Sequence, residues 1–313
     1  MKFSRIAIII LHYKNLSDTR ECLKSLQKLD YERFSVIVVN NDVLEHKNAI
    51  EAEFGDFVKI IQNKKNLGFA EGNNVGIRSA LANNQVDAVL LLNNDTIVEP
   101  NFLKEMISTN ADMVAPRMMQ YHYRDKIDNL GIVLMSSGLP FNRTNENQKL
   151  FCASGGCALY SRKLIETVGV FDKKYFAYAE DLDLGWRARN QGFEAGYASK
   201  AIVYHKGSAI HGKLSDFVVY HTYRNLLWTQ FKNLPLALLL WQSPWFFAGH
   251  IFIFFYYIFK GRARKIFKAY VNGIIGALNV FKTRSENLKK KTVSNKTILS
   301  WFQTGLFPKS LLR

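Results

Sequence analysis

Apolar and polar residues come in blocks over the first two thirds of this chain. Residues 6–11 form a continuous apolar run, the pattern of a strand buried on both faces. Residues 17–29 carry Cys22, Leu23, Leu26 and Leu29 at helical spacing. Further strands are predicted at 34–39, 57–61, 87–92, 111–115, 158–161 and 194–204. Helices are predicted at 70–82, 101–108, 162–168, 181–191 and 216–232. Strands alternating with helices predict a mostly parallel, doubly wound α/β sheet with helices on both faces. Residues 116–150 break the pattern: polar, with Gly131, Gly138, Pro140 and several Asn, they read as an insertion or a substrate loop.

From 233 to 259 there is no charged residue, although Pro235, Pro244, Gln242 and His250 interrupt the apolar run. The length suffices for a bilayer span. The abundance of Trp, Phe and Tyr suits the membrane interface. The expectation is an interfacial or re-entrant hairpin with both ends in the cytoplasm; a buried core pair and a true span are the alternatives. Charge sharpens this. Of 42 Lys and Arg and 26 Asp and Glu, thirteen basic and one acidic residue fall at 260–313, leaving 29 against 25 before them. A nearly neutral body with a tail near +12 predicts docking on anionic lipid rather than on nucleic acid. The expected division is a catalytic domain at 1–232 and a hydrophobic, then basic, membrane-associating helical segment at 233–313. Cys22, Cys152 and Cys157 read as buried thiols, and the N-terminal apolar run as a first strand, not a signal peptide.

Open α/β sheets bind ligands at the carboxyl ends of their strands. The residues following the predicted strands are His12-Tyr13-Lys14-Asn15, Asn40-Asn41-Asp42, Asn66-Leu67-Gly68 and Asn93-Asn94-Asp95. Each group alone also suits a turn; together they line one sheet edge. Asp95, directly after a buried strand, is placed to hold a divalent cation or to cap a turn. Glu180, Asp181 and Asp183 crowd the start of a predicted helix. The free N–H groups there are expected to lower the Asp181 pKa, leaving it ionised and able to accept a proton. Asp183 is spaced to pair with Arg187 one turn on. His205, at a strand end, is either structural or a metal ligand beside Asp95.

In order, "VVNND", "NLGFAEGNNVGI", "LLLNNDTIVEP", "GVFDKKYFAYAEDLDLGWRARNQG" and "VYH" resemble the family 2 glycosyltransferases. The nearest subgroup is the rhamnosyltransferase-like enzymes of bacterial surface polysaccharides. The likeness runs from Ile6 to His211. It implies a GT-A-like fold and an inverting, metal-dependent transfer from a nucleotide diphosphate sugar, UDP- or dTDP-linked, to a glycan or lipid-linked acceptor. It implies Asp181 as the catalytic base. It also implies Asp95 and His205 as ligands of Mn or Mg, and Tyr13, Asn40, Asn41, Gly68, Asn74, Asn93 and Asn94 around the donor. Gly155, Glu180, Asp183 and Arg187 would stand on the acceptor side or support it. Asn40 departs from the family, which has Asp there. The implied location is the cytoplasmic face of the cell membrane, peripheral or monotopic.

Two other classes fit the sequence less well. A nucleotidyltransferase would usually offer a glycine-rich basic loop after the first strand, and Tyr13-Lys14-Asn15-Leu16 has no glycine. A nucleic-acid-binding protein would carry its charge on the folded body, which is nearly neutral.

Overall fold

The computed structural model describes residues 4–207, 215–278 and 280–308. His211, which closes the resembling stretch, and Lys309 and Arg313 of the basic tail lie outside the described residues. The first half runs β1 (Ile6–His12), α1 (Leu16–Leu26), β2 (Phe34–Asn40), α2 (Leu44–Phe54), β3 (Val58–Gln62), α3 (Gly68–Leu81), β4 (Ala88–Asn93), β5 (Thr96–Val98), α4 (Phe102–Ser108) and β6 (Met113–Gln120). Then follow β7 (Ile127–Asn129), β8 (Ile132–Met135), β9 (Pro140–Asn142), β10 (Cys157–Ser161), α5 (Arg162–Val168), α6 (Glu180–Asn190) and β11 (Ala195–His205). The chain continues with α7 (Asp216–Asn233), α8 (Leu236–Phe259), α9 (Ala263–Leu278), α10 (Phe281–Lys289), α11 (Asn295–Ser300) and β12 (Phe302–Gln303).

Among the described residues, the main sheet has the order β3-β2-β1-β4-β10-β6-β11-β5, with β7 beside β6. Strands β3, β2, β1 and β4 are parallel, and β10 enters antiparallel between β4 and β6. The period-2 alternation of a strand splits its side chains between two cores. Ile6, Ile8 and Ile10 of β1 join Cys22 and Leu26 of α1 and Phe102 of α4 on one face. Ala7 and Ile9 join Ile77 of α3 and Leu182 of α6 on the other. The predicted strands and helices are therefore present, in a mixed α/β sheet covered on both faces.

Two stretches differ from expectation. Residues 116–150 are not irregular: they extend β6 and supply β7, β8 and β9. Ile132–Met135 is four buried apolar residues in a row, a short signal hidden among glycines and asparagines. Helix α2 was not anticipated. Its apolar content is sparse, with Ile50 and Phe54 its buried residues.

Helix α8 runs unbroken through Pro244. A helical proline removes the bond to the carbonyl four residues back; here Ser243 Oγ donates to that carbonyl, Leu240 O, at 2.8 Å. Leu238, Gln242, Phe246, Gly249, Ile253 and Tyr257 form the buried stripe of α8. At Gly249 an added Cβ would lie 2.7 Å from Ser137 Cβ, so the helix rides directly on the β8–β9 turn. Gln230 of α7 donates to Gly138 O at 2.9 Å and bonds His250 of α8 at 2.9 Å. The opposite stripe is bare: Leu240, Trp241, Phe247 and Phe259 are exposed, as are Phe267, Ile274 and Ile275 on α9. Beyond α11 the chain returns to the body, where β12 pairs in parallel with β8 and Ser137 Oγ donates to Leu306 O at 2.6 Å.

Candidate active site

The carboxyl ends of β1, β2 and β4, the start of α6 and the end of β11 enclose a cleft of about 630 Å³. It brings together Tyr13, Asn41, Gly68, Asn93, Asn94, Asp95, Gly155, Glu180, Asp181 and His205. Asn40, Asn74, Asp183 and Arg187 do not line it. Asn40 is fully buried; its Nδ2 donates to Val43 O and Gln62 Oε1, and its Oδ1 accepts from the Asp42 N–H. Asn74 is likewise buried and bonds both the N–H and the carbonyl of Phe171, fixing α3 to the segment before α6.

One wall is an asparagine-built turn. Asn41 Nδ2 donates to Gly68 O at 3.1 Å, and Asn66 Oδ1 accepts from Gly68 N at 2.8 Å. Gly68 has φ +77°, and a Cβ there would stand 2.5 Å from Phe176 O. The turn can therefore close against the loop before α6 only with glycine at this position.

Across the cleft, β11 pairs antiparallel with β5, aligning His205 with Thr96. This sets His205 Nε2 at 3.4 Å from Asp95 Oδ2, while its Nδ1 lies 2.7 Å from Asp128 Oδ2. Burial alone would lower the His205 pKa; the hydrogen bonds and charges of Asp128 and Asp95 overcome it and raise it to about 10. The group fits a cation. A metal-ligating histidine ordinarily gives its second nitrogen to a carboxylate, the place Asp128 takes, and carboxylate with imidazole is a donor set for Mn-class ions.

Three carboxylates within four residues meet three environments. Asp183 is fully buried, with Oδ2 3.0 Å from both Arg187 Nε and Lys232 Nζ and Oδ1 2.8 Å from Asn233 Nδ2. Burial would raise its pKa, but Lys232 and Arg187 prevail and hold it down to about 2. It is a tie between α6 and α7; removing one partner of such a buried group costs ~3–5 kcal/mol. Glu180 is buried with Oε2 unpartnered, and burial and the neighbouring Asp181 charge push its pKa well up. Asp181 Oδ2 accepts from Gly155 N and Oδ1 from Leu182 N, each at 2.7 Å. The lowered pKa expected for Asp181 does not hold. Burial raises it, and the backbone N–H groups offset only part of that. Of the adjacent pair, Asp181 has the two donors that favour an anion, and Glu180 has none on Oε2. The anion is therefore favoured more on Asp181 than on Glu180.

The approach to Asp181 is strained. Phe176, Tyr178 and Ala179 all have positive φ, of 65°, 69° and 65°. The buried Asn225 of α7 holds them: its Nδ2 donates to Tyr175 O, Ala177 O and Tyr178 O at 3.0, 2.9 and 2.7 Å. Phe176, Tyr178 and Phe217 thereby face the cleft.

Residues 4–224 match the family described as "Glycosyltransferase like family 2". The chain belongs to this family. The low-salt glycan biosynthesis hexosyltransferase Agl10 of Haloferax volcanii is 26% identical over 236 residues, 70% of this chain and 73% of that protein. The N-acetylglucosaminyl-diphospho-decaprenol L-rhamnosyltransferase of Mycobacterium tuberculosis is 44% identical over 52 residues, 17% of each. In fold, this family 2 glycosyltransferase resembles S. aureus TarS 1–349 in complex with UDP-GlcNAc. The TM-score is 0.57 and the identity 15%, over 92% of this chain and 89% of that one. It also resembles the mannosyltransferase PcManGT of Pyrobaculum calidifontis in complex with GDP-Man and Mn2+. There the TM-score is 0.52 and the identity 14%, over 95% and 78%. The GT-A architecture is thus shared across the catalytic body.

The motif-bearing residues at strand ends were readable in the sequence of this glycosyltransferase; Asp128 and Asn225 were not. Asp128 sits in the polar stretch read as a loop, and Asn225 in an ordinary helix. Neither carries a local signal, because each acts through a partner distant in sequence.

Proposed function

We propose that this glycosyltransferase moves a hexose, with rhamnose favoured, from a UDP- or dTDP-sugar to a lipid-linked saccharide acceptor with inversion at the anomeric carbon. The observation that carries this reading is the shared cleft: Asp181 and the Asp95–His205 pair open into one cavity. The family membership and the named hexosyl- and rhamnosyltransferase relatives support a sugar donor.

In this reading Tyr13, Asn41 and the Gly68 turn receive the nucleoside, with Asn93 and Asn94 beside the diphosphate. Asp95 and His205 are the ligands of a divalent cation, which would offset the charge that builds on the departing diphosphate. Asp181 accepts the acceptor hydroxyl's proton as that oxygen attacks opposite the leaving group. Gly155 N–H holds its carboxylate in place. In-line attack inverts the carbon and needs no covalent enzyme intermediate.

The α8 contacts support a monotopic seat on the cytoplasmic leaflet. The buried stripe from Leu238 to Tyr257 covers about 29 Å of helix, close to the ~30 Å hydrocarbon thickness. A span would drag Ser137, Gly138 and Gln230, which pack on that stripe, into the hydrocarbon. Lying flat, the helix offers its bare aromatic stripe to lipid, with Lys260, Arg262, Lys265 and Lys268 near anionic headgroups. The test of the function is a donor panel: UDP- and dTDP-sugars with Mn2+ or Mg2+, scored for released nucleoside diphosphate and, with a lipid-linked glycan, for transfer. Release from no member of the panel refutes the reading.

A further inference from the structure

A second group of ligating side chains lies behind the cleft wall. His12 ends β1; Asp42 follows β2, and His46 lies four residues further on, in the first turn of α2. His12 Nε2 is 3.0 Å from His46 Nδ1, which is 3.1 Å from Asp42 Oδ2, and the three ligand atoms lie within 4.8 Å of one another. None of the three lines the cleft, although their neighbours Tyr13 and Asn41 do.

The protons do not suit this arrangement. His46 Nδ1 has two close neighbours and at most one proton. If His46 carries it, the proton is split between His12 and Asp42. If His12 Nε2 carries it, the His46 lone pair faces the Asp42 carboxylate with nothing between. Asp42 Oδ2 also accepts from the Lys14 N–H at 2.9 Å, which leaves it a lone pair for a cation that would face both imidazole nitrogens as well.

We propose that His12, Asp42 and His46 form a second cation site, separate from the Asp95–His205 pair, that takes a zinc-class transition metal. Two imidazoles and a carboxylate are typical zinc ligands, with a fourth position left to water. Tetrahedral zinc with bonds of ~2.0–2.1 Å separates its ligands by ~3.3 Å, a few tenths of an ångström beyond the His12–His46 and His46–Asp42 separations of 3.0 and 3.1 Å. The outer shell is in place: His12 Nδ1 is 2.7 Å from Thr19 Oγ1, which also accepts from Asn94 Nδ2 of the cleft at 2.9 Å. His46 and Asp42 keep 28% and 17% of their side-chain surface, which leaves an entry path. Bound there, the metal clamps β1 to the turn after β2, beneath Tyr13 and Asn41.

The full chain, stripped with chelator, is dialysed against Zn2+ and analysed for bound metal; Co2+ is titrated in parallel and followed by its visible absorption. Wild type and Asp95→Ala are expected to share one tight Zn2+ equivalent and a tetrahedral Co2+ spectrum. His46→Ala, on an accessible helix face, and Asp42→Asn should bind that equivalent at least ~100-fold more weakly, judged against the 10–100-fold typical of outer-shell losses. Circular dichroism verifies that both variants are folded. Equal Zn2+ affinity in wild type and His46→Ala overturns the proposal, as does a wild type that binds no equivalent retained by Asp95→Ala.

Discussion

Asn225→Ala tests whether the loop before α6 is held in its strained form by one side chain. The substitution removes a buried amide that serves three carbonyls. Tyr175 O retains Arg224 Nη2 at 3.1 Å, so the loss falls on Ala177 O and Tyr178 O. A fully buried carbonyl left without its donor costs ~1–3 kcal/mol; these two are only part-buried at the cleft, so about 2–6 kcal/mol is the upper bound of the gross loss. The loop need not remain where it is, however. Non-glycine residues with positive φ store ~1–3 kcal/mol each, and Phe176, Tyr178 and Ala179 would release part of this by relaxing. The expected net destabilisation is therefore about 1–3 kcal/mol, readable as a shift of the denaturant midpoint at unchanged slope. Activity should suffer more than stability. Ala179 leads directly into Glu180 and Asp181, and a displacement of ~1 Å at a reacting group costs ~10²-fold. The assay is kcat for transfer well below the unfolding temperature, normalised to folded protein, beside the donor KM. A loss of ~30–100-fold in kcat is expected. Asn225→Asp, which keeps the shape but not the donors, should fall equally. A normalised kcat within about threefold of wild type in either variant refutes the reasoning.

Other outcomes follow from the site. Asp181→Asn should fold and bind donor while losing ~10²–10⁴-fold in transfer, whereas Glu180→Gln, replacing a carboxyl whose pKa burial and the Asp181 charge push well up, should lose under ~10-fold; the reverse order in steady-state assays would exchange their roles. His205 must shed its proton to ligate a cation, so Mn2+ affinity measured by calorimetry should rise as pH approaches 10; a flat profile removes His205 from the ligand set. The same raised pKa makes metal-free stability complete below about pH 6.5 and progressively lost as pH rises through 10. His205→Gln should flatten that slope in denaturation at several pH values. Trp241→Ser with Phe247→Ser should release the protein from anionic vesicles in co-sedimentation while sparing donor hydrolysis; undiminished sedimentation of the double variant counts against a flat-lying α8.

The catalytic body was legible because its signals are local. An apolar run such as residues 6–11 followed by polar residues marks both a strand and its ligand-binding end. Asp95, Asp181 and His205 could be singled out because each directly follows or begins such an element. What escaped depends on distant partners. The order β4-β10-β6-β11 follows from pairing energies that no single segment contains, and so does the meeting of Asp128 with His205 across 77 residues. The pKa direction of Asp181 was misjudged for a related reason. Helix-start position is visible in sequence, but burial of the carboxyl is not, and burial dominates.

The pairing of β12 with β8 has a consequence for biosynthesis. Strands β8 and β9 carry Pro140, Phe141 and Asn142 to the cleft rim, yet their third strand, Phe302–Gln303, lies about 160 residues further along the chain. During translation the rim therefore waits for its last strand until α8 and α9 have left the ribosome and can reach a bilayer. A nascent chain would hold an assembled strand core before it holds a finished cleft rim, so the rim is completed only after the apolar helices α8 and α9 have been made.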